Sequence, residues 1–384
     1  MNPSPSEKVY DLAVLGGGIM GLACAFEAVC QGQRVAVLDP NPLGRKASWA
    51  AAGILVGRAG VVGSSPFREF YLRSLAEYPD WLKKIENESG MKTAFERGGD
   101  YQVFPLDNPD SLRSLEARES QLSREKSVDF SVRDAWPDFL KPHARSGPVR
   151  VFHFPNEAYV NNRELLSTLE TALRKRGVDL FPGRKPVHLS HAGGNQLEGD
   201  GWKLRTKNVL ITAGAWSNDI LKLLGWMAPI IPVKGQLASF PAFHAEKTMI
   251  HCQEKLYMIP RGKSIIAGST TEPENWGENF DAFGDEKLRA SLRDFFPNLK
   301  PEWSETWSGI RPRTRDRLPI MGWVDEKNGI AICAGHYKSG ISLAPLAGKC
   351  MAELLSGKSP SLDLRPFHPL RKAGLKQIKL SPEI

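Results

Sequence analysis

The chain has 384 residues, 41% of them hydrophobic and 24% charged, a globular balance with enough length for two intertwined domains. Its formal charge of +8 and isoelectric point near 9.2 come from scattered basic residues with no aromatic-interleaved basic stripe, so a nucleic-acid partner is not expected. No run of about eighteen apolar residues could span a bilayer, the first residues do not read as a secretory signal, and the five cysteines form no CxxC pair, which together point to a cytoplasmic protein without disulfides or zinc.

Residues 9–15, VYDLAVL, predict a buried strand, residues 19–30 a small-residue helix, and residues 34–39 a second buried strand. That strand, helix, strand unit opens a parallel sheet. A Gly- and Ala-rich loop over 48–63 precedes a helix over 70–89, spaced by Phe70, Leu75, Trp81, Leu82 and Ile85. Residues 107–146 are polar and Pro-punctuated, with LRSLEARESQL a solvated helix in a lid-like insertion.

A further helix is predicted over 163–176, then short β-rich pieces ending in an apolar strand at 208–212. From 229 to 310 strand-like segments dominate, among them 236–240, 256–260 and 264–268, and predict a separate antiparallel sheet. A last apolar strand over 329–334 leads into a helix over 342–355, followed by a polar tail.

Gly16, Gly18 and Gly21 form a GxGxxG motif directly after a predicted strand and at the start of a helix, with Ile19 and Met20 inside it. The first glycine permits the tight turn, the second lets backbone approach a pyrophosphate, and the third allows close helix packing. The helix N-terminus supplies free N–H groups and the positive end of its dipole. Asp39 ends the second strand about twenty residues on, where a carboxylate accepts hydrogen bonds from a ribose diol and disfavours a 2′-phosphate. These residues leave FAD and NAD both open and NADP unexpected.

The stretch Lys46-Ala47-Ser48-Trp49-Ala50-Ala51-Ala52-Gly53 resembles the loop that follows the acidic residue in the D-amino-acid oxidase superfamily, most closely its glycine oxidase branch, which serves thiazole synthesis for thiamine. Small side chains there let a planar ring approach the backbone. Three further motifs agree in order and spacing: Leu210-Ile211-Thr212-Ala213-Gly214-Ala215-Trp216-Ser217, then Gly309-Ile310-Arg311-Pro312, then Gly335-His336-Tyr337-Lys338-Ser339-Gly340-Ile341. The resemblance covers about residues 9–355 and is weakest over 107–146.

It implies an α/β fold: a Rossmann-like FAD-binding domain (1–95, 147–228 and 312–384) interleaved with an α+β substrate domain on a mostly antiparallel sheet (96–146 and 229–311). It also implies noncovalent FAD, since no cysteine stands between 253 and 332. The residues it assigns to the cofactor are Gly16, Gly18, Ile19, Met20, Gly21, Asp39, Lys46, Ala47, Ser48, Ala51, Ala52, Gly53, Val187 (to adenine, through its backbone), Ala213, Gly214, Trp216, Arg311 and the run from His336 through Tyr337, Lys338, Ser339 and Gly340 to Ile341. A helix N-terminus after that run would stabilise negative charge on reduced flavin.

For the substrate it implies Arg311 as the carboxylate anchor, Tyr257 as a hydroxyl donor to the same carboxylate, and Lys338 beside them. Two positions depart from the branch: Lys338 stands where an arginine is common, and Lys255 where a histidine precedes the tyrosine by two residues. The implied reaction is oxidative deamination of glycine, with sarcosine and small D-amino acids open, by hydride transfer to the flavin with oxygen or another electron acceptor. Three other readings stay open: a quinone-linked D-amino-acid or sarcosine dehydrogenase, an oxidase acting on a glycine-like group in tRNA, and a nucleotide-binding protein without chemistry. The resemblance leaves room for a homo-oligomer.

Overall fold

In a computed structural model of the chain, residues 8–57, 65–124, 128–191 and 194–377 are described. The expected loop over 48–63 runs beyond residue 57 and there lies outside the described residues. Strand Val9–Leu15 sits in the middle of an eight-stranded sheet, pairing in parallel with Val35–Asp39 on one side and Trp202–Ile211 on the other. Asp179–Pro182 extends the sheet beyond Val35–Asp39, and Ile330–Ala334 lies alongside Trp202–Ile211. Val9–Leu15, Val35–Asp39 and Ile330–Ala334 are buried along nearly their whole length, which is why they read as apolar runs, whereas Trp202–Ile211 alternates buried and exposed residues over its first half.

Helices cover one face. The opening helix, Ile19–Cys30, crosses the closing helix, Gly340–Leu355, so closely that a Cβ on Gly348 would lie 2.9 Å from the Ala23 backbone. Helix Pro66–Ser89 packs on the closing helix; it starts with the Ser65 hydroxyl accepting from the Arg68 N–H at 3.1 Å and stops at Gly90, whose φ of 71° no β-carbon residue adopts cheaply. Helix Asn162–Lys175 begins at Asn161, whose side chain accepts from Arg163 and Glu164.

The second sheet has nine strands, and its pairings are antiparallel except for Met249–Cys252 beside Asp100–Pro105. Its spine is Ile230–Pro241, far longer than the expected 236–240, paired with Glu305–Thr314 along ten residue pairs and with Ser264–Gly268 on the other edge. Strand Val149–Phe154 belongs here, bonded along Asp100–Pro105, although the expected division puts 147–228 in the first domain. The cause is pairing: full-length hydrogen bonding to residues 100–105 outweighs its proximity in sequence to the helix that follows. Likewise Glu305–Thr314 runs unbroken across the expected boundary at 311/312.

The 107–146 segment is less solvated than its composition predicts. Its helix, Pro109–Ser123, buries Leu115 and Leu122 among Phe104, Phe152 and Phe154. Among the described residues no helix is long and apolar enough to cross a membrane, and no group of His, Cys, Asp and Glu could hold a metal ion.

Candidate active site

The turn after the first strand is built by backbone contact. Gly16 has a φ of 117°, and a Cβ there would sit 2.7 Å from the Thr212 carbonyl; a Cβ on Gly21 would sit 1.9 Å from the Gly16 oxygen. Gly18 differs from both, because its Cβ would meet only the Ser48 hydroxyl, at 3.2 Å. Two of the glycines therefore let the chain close on itself, and the third keeps the helix mouth open. Asp39 accepts from the Gly17 N–H and the Asn41 N–H, each at 2.8 Å, so one bond to each carboxylate oxygen fixes it at the strand end with lone pairs to spare.

Helix ends supply a test of fit for a dinucleotide. Helices Pro66–Ser89, Pro109–Ser123, Asn162–Lys175 and Ala282–Phe295 are each capped by a side chain, from Ser65, Asn108, Asn161 and Asp281. The opening and closing helices have no side-chain cap, with Gly18 and Ser339 at their N-cap positions. These two ends converge: a Cβ on Gly340 would lie 3.7 Å from Ile19 Cγ2. Two converging helix N-termini without side-chain caps at their N-cap positions, the opening one with its Ile19 N–H taken by the Ser48 hydroxyl, present their remaining N–H groups and positive dipole ends to one space, which suits the anionic phosphates and the electron-rich ring of a flavin dinucleotide.

The small-residue loop is held between the sheets. One helical turn, Ala47–Ala50, lies on strand Glu305–Thr314 where a Cβ on Gly309 would meet Ala50 Cβ at 2.5 Å, and the Trp307 indole donates to the Ala50 carbonyl at 3.0 Å. Ser48 accepts from the Ile19 N–H at 2.9 Å. Asn162 donates to the Ser48 and Trp49 carbonyls, and Arg261 donates to the Ala52 carbonyl and to Asn162. Burial pulls the Arg261 guanidinium down to about 10. Ala51 follows the helical turn, Ala52 is buried, and Gly53 turns with a φ of 78° against the Val160 carbonyl. Sequence reasoning missed Asn162 and Arg261; an Arg in an apolar strand was the one available signal.

Other expected cofactor residues fall into distinct settings. Lys46 pairs with Glu278 at 2.7 Å and lies over the Trp216 ring at 5.4 Å. Ala213 and Gly214 turn into the short helix carrying Trp216, beside Pro312. Met20 is buried at the start of the opening helix. Val187 is exposed and its N–H donates to the Glu198 carbonyl at 2.8 Å, so only its carbonyl could serve an adenine. His336 is buried and burial alone pushes its imidazole down to about 3, which keeps it neutral. Tyr337 is tied by its N–H to the Pro312 carbonyl at 2.9 Å, and Ser339 by its N–H to the His336 carbonyl. Ile341 is buried in the closing helix.

Arg311, Tyr257 and Lys338 come together from three separate segments. The Arg311 guanidinium lies flat against Gly235, where a Cβ would be 2.1 Å away, and donates to the Ser269 hydroxyl at 2.8 Å and the Thr270 carbonyl at 3.2 Å. No carboxylate pairs with it among the described residues. The Tyr257 ring covers Gly268, and burial raises its hydroxyl pKa against the opposing pull of the Arg311 charge and a hydrogen bond with Ser269. Burial lowers the Lys338 ammonium, the Arg311 charge lowers it further, and Glu254 opposes both. Lys255 is exposed in the turn before Leu256–Arg261.

A part-buried polar network, which the sequence reading did not find, backs this cluster. Lys234, 2% exposed, donates to Asp281 at 2.5 Å; Gln236 donates to Asp281 and Glu272; and the Thr270 hydroxyl donates to Glu272. The hydrogen bond from Lys234, then those from Gln236 and the Gly284 N–H, hold the Asp281 carboxyl well below the usual range. A lysine beside glycine just before the expected strand at 236–240 was its only trace in the sequence.

Two converging helix N-termini without side-chain caps and a guanidinium without a carboxylate partner among the described residues suit a flavin-dependent oxidoreductase, and the chain belongs to the family of FAD dependent oxidoreductases, whose model matches residues 11–354. It is 28% identical to glycine oxidase of Geobacillus kaustophilus over 377 residues, 95% of this chain and 98% of that protein. It is 27% identical to the bifunctional protein ThiO/ThiG of Trichormus variabilis over 93% of this chain and 54% of that protein. The crystal structure of the Geobacillus kaustophilus glycine oxidase superposes with a TM-score of 0.87 at 27% identity, covering 94% of this chain and 98% of that one. FAD is therefore the cofactor.

Proposed function

We propose that this chain oxidises glycine, and with it small N-substituted or D-amino acids, to the imine, which hydrolyses to glyoxylate and ammonia. The reading follows the branch that serves thiamine-thiazole synthesis, where the imine is the useful product. Its relation to glycine oxidases supports the substrate, and the observation that carries it is the Arg311 guanidinium, hydrogen-bonded only to neutral groups and left without a carboxylate.

FAD, when bound, would supply the two-electron acceptor at this site, with oxygen the proposed final acceptor. The protein's own part is placement. Arg311 offers a planar fork that pairs both oxygens of the substrate carboxylate. Tyr257, its hydroxyl kept protonated by burial, donates to the same group. Lys338 adds a second positive charge, and the neutral His336 holds the loop before the closing helix without adding a third. The Cα–H must be lined up within about 3 to 3.5 Å of its acceptor, a positioning task that needs no nucleophile.

Anaerobic mixing of the holoenzyme with glycine, sarcosine and D-alanine tests this. Bleaching of the flavin by glycine is expected, with peroxide formed on readmission of air. Bleaching without peroxide would favour the quinone-linked reading, and no bleaching by any of the three would end the proposal.

A further inference from the structure

The face of the second sheet that carries Tyr257 also carries a polar group that the reaction above does not use. His251 is the cross-strand partner of Tyr257, so both side chains leave the sheet on the same side, and their rings lie 5.9 Å apart. Its Nδ1 is 2.6 Å from a carboxylate oxygen of Asp100, which is fully buried and also accepts from Gln102 at 3.0 Å. Gln102 is in turn the register partner of His251 on the neighbouring strand. The imidazole is thus fixed through one nitrogen, as in carboxylate-oriented histidines generally, and the other nitrogen points away from Asp100. That Nε2 has no hydrogen-bond partner among the described residues, and the side chain keeps 22% of its surface accessible. The Gln102 carbonyl oxygen beside it is buried without a partner. By register Phe152, Phe154 and Met249 share the face of Asp100, Gln102 and His251, so three polar side chains have been placed among apolar neighbours.

We propose that His251, positioned by Asp100, is a specificity residue that hydrogen-bonds a second polar group of the substrate, distal to the carboxylate held at Arg311. The Tyr257 ring lies between the two ends: its hydroxyl leans over Gly268 toward Ser269 and Arg311, and His251 stands on its other side. Glycine, anchored by its carboxylate at the arginine, is too short to pass that ring. The substrate class read from this geometry is a glycine extended, at nitrogen or at Cα, by a chain ending in a carboxylate or a hydroxyl. The inference rests on the amino-acid reading of the Arg311 site.

Non-reactive acids separate the two. Acetate, glutarate and 4-hydroxybutyrate are titrated into the holoenzyme, and dissociation constants are read from the visible flavin band and by calorimetry. One of the longer acids is expected to bind at least tenfold more tightly than acetate, glutarate if His251 acts as a donor and 4-hydroxybutyrate if it acts as an acceptor. His251→Phe is expected to cut that preference at least tenfold. A preference below threefold in the unaltered enzyme, or one that survives in His251→Phe, overturns the inference; the first result stands whether or not the variant folds. The underlying reading fails separately, if acetate does not bind or if Arg311→Gln leaves acetate affinity unchanged.

Discussion

Arg311→Gln removes the positive charge while keeping a side chain that can still donate to Ser269. Truncating one partner of a desolvated charge pair costs about 2–5 kcal/mol. The lower half of that range applies here, because the Tyr257 hydroxyl and the Lys338 ammonium remain beside the carboxylate position, and the guanidinium is only part-buried. A loss of about 2–3 kcal/mol corresponds to about 30- to 150-fold weaker binding, at about 1.4 kcal/mol per factor of ten. The assay is acetate dissociation from the oxidised holoenzyme together with kcat/KM for glycine, and both should fall by a similar factor while the flavin content is retained. The Lys338 ammonium, lowered chiefly by burial and next by the Arg311 charge, should move back up in the variant, displacing the alkaline limb of acetate binding to higher pH. Glycine and acetate constants within twofold of those of the unaltered enzyme would refute the assignment of Arg311 as anchor.

Other outcomes follow from the same geometry. Gly18→Leu should yield a folded but colourless protein, since its side chain must occupy the mouth between the two uncapped helices; the ratio of flavin to protein absorbance checks it. His336, depressed from 6.5 to about 3 by burial, is neutral in the folded state where the unfolded chain binds a proton, so it makes folding stability fall as pH drops from 6.5 toward 3. His336→Asn should flatten that fall by up to about 1.4 kcal/mol per pH unit in denaturant titrations at pH 7, 6 and 5. Asp281→Ala should destabilise the fold by about 2 kcal/mol, below the range for a fully buried pair because the carboxylate keeps 45% of its surface exposed, since the buried Lys234 loses its partner and helix Ala282–Phe295 its cap; Lys234→Met should cost less, and equal losses in thermal unfolding would contradict this account.

The nucleotide half of the site was legible in the sequence because its determinants are local. A buried strand, three glycines at fixed spacing and an acid at the end of the next strand lie within residues 9–39, and although Gly16 also packs on the distant Thr212 carbonyl, the turn, the Gly21–Gly16 contact and the acid position are set within that stretch. Turn geometry and helix packing at that range depend on residue type more than on distant partners. Arg311 and Tyr257 were found through motif likeness; periodicity alone marks them as a strand arginine and a strand aromatic.

What only the tertiary structure decided is whatever depends on strand register and on burial. That Val149–Phe154 joins the second sheet, that Lys234 meets Asp281, and that His251 meets Asp100 all follow from contacts between segments tens of residues apart or more. A one-residue slip in the register of either sheet pairing would send His251, or the side chains of Val149–Phe154, to the opposite face with the sequence unchanged. The primary structure sets which chemical groups are available and where the chain can turn; the sheet decides which of them meet, since hydrogen-bonded register is a property of two strands and cannot be written in one.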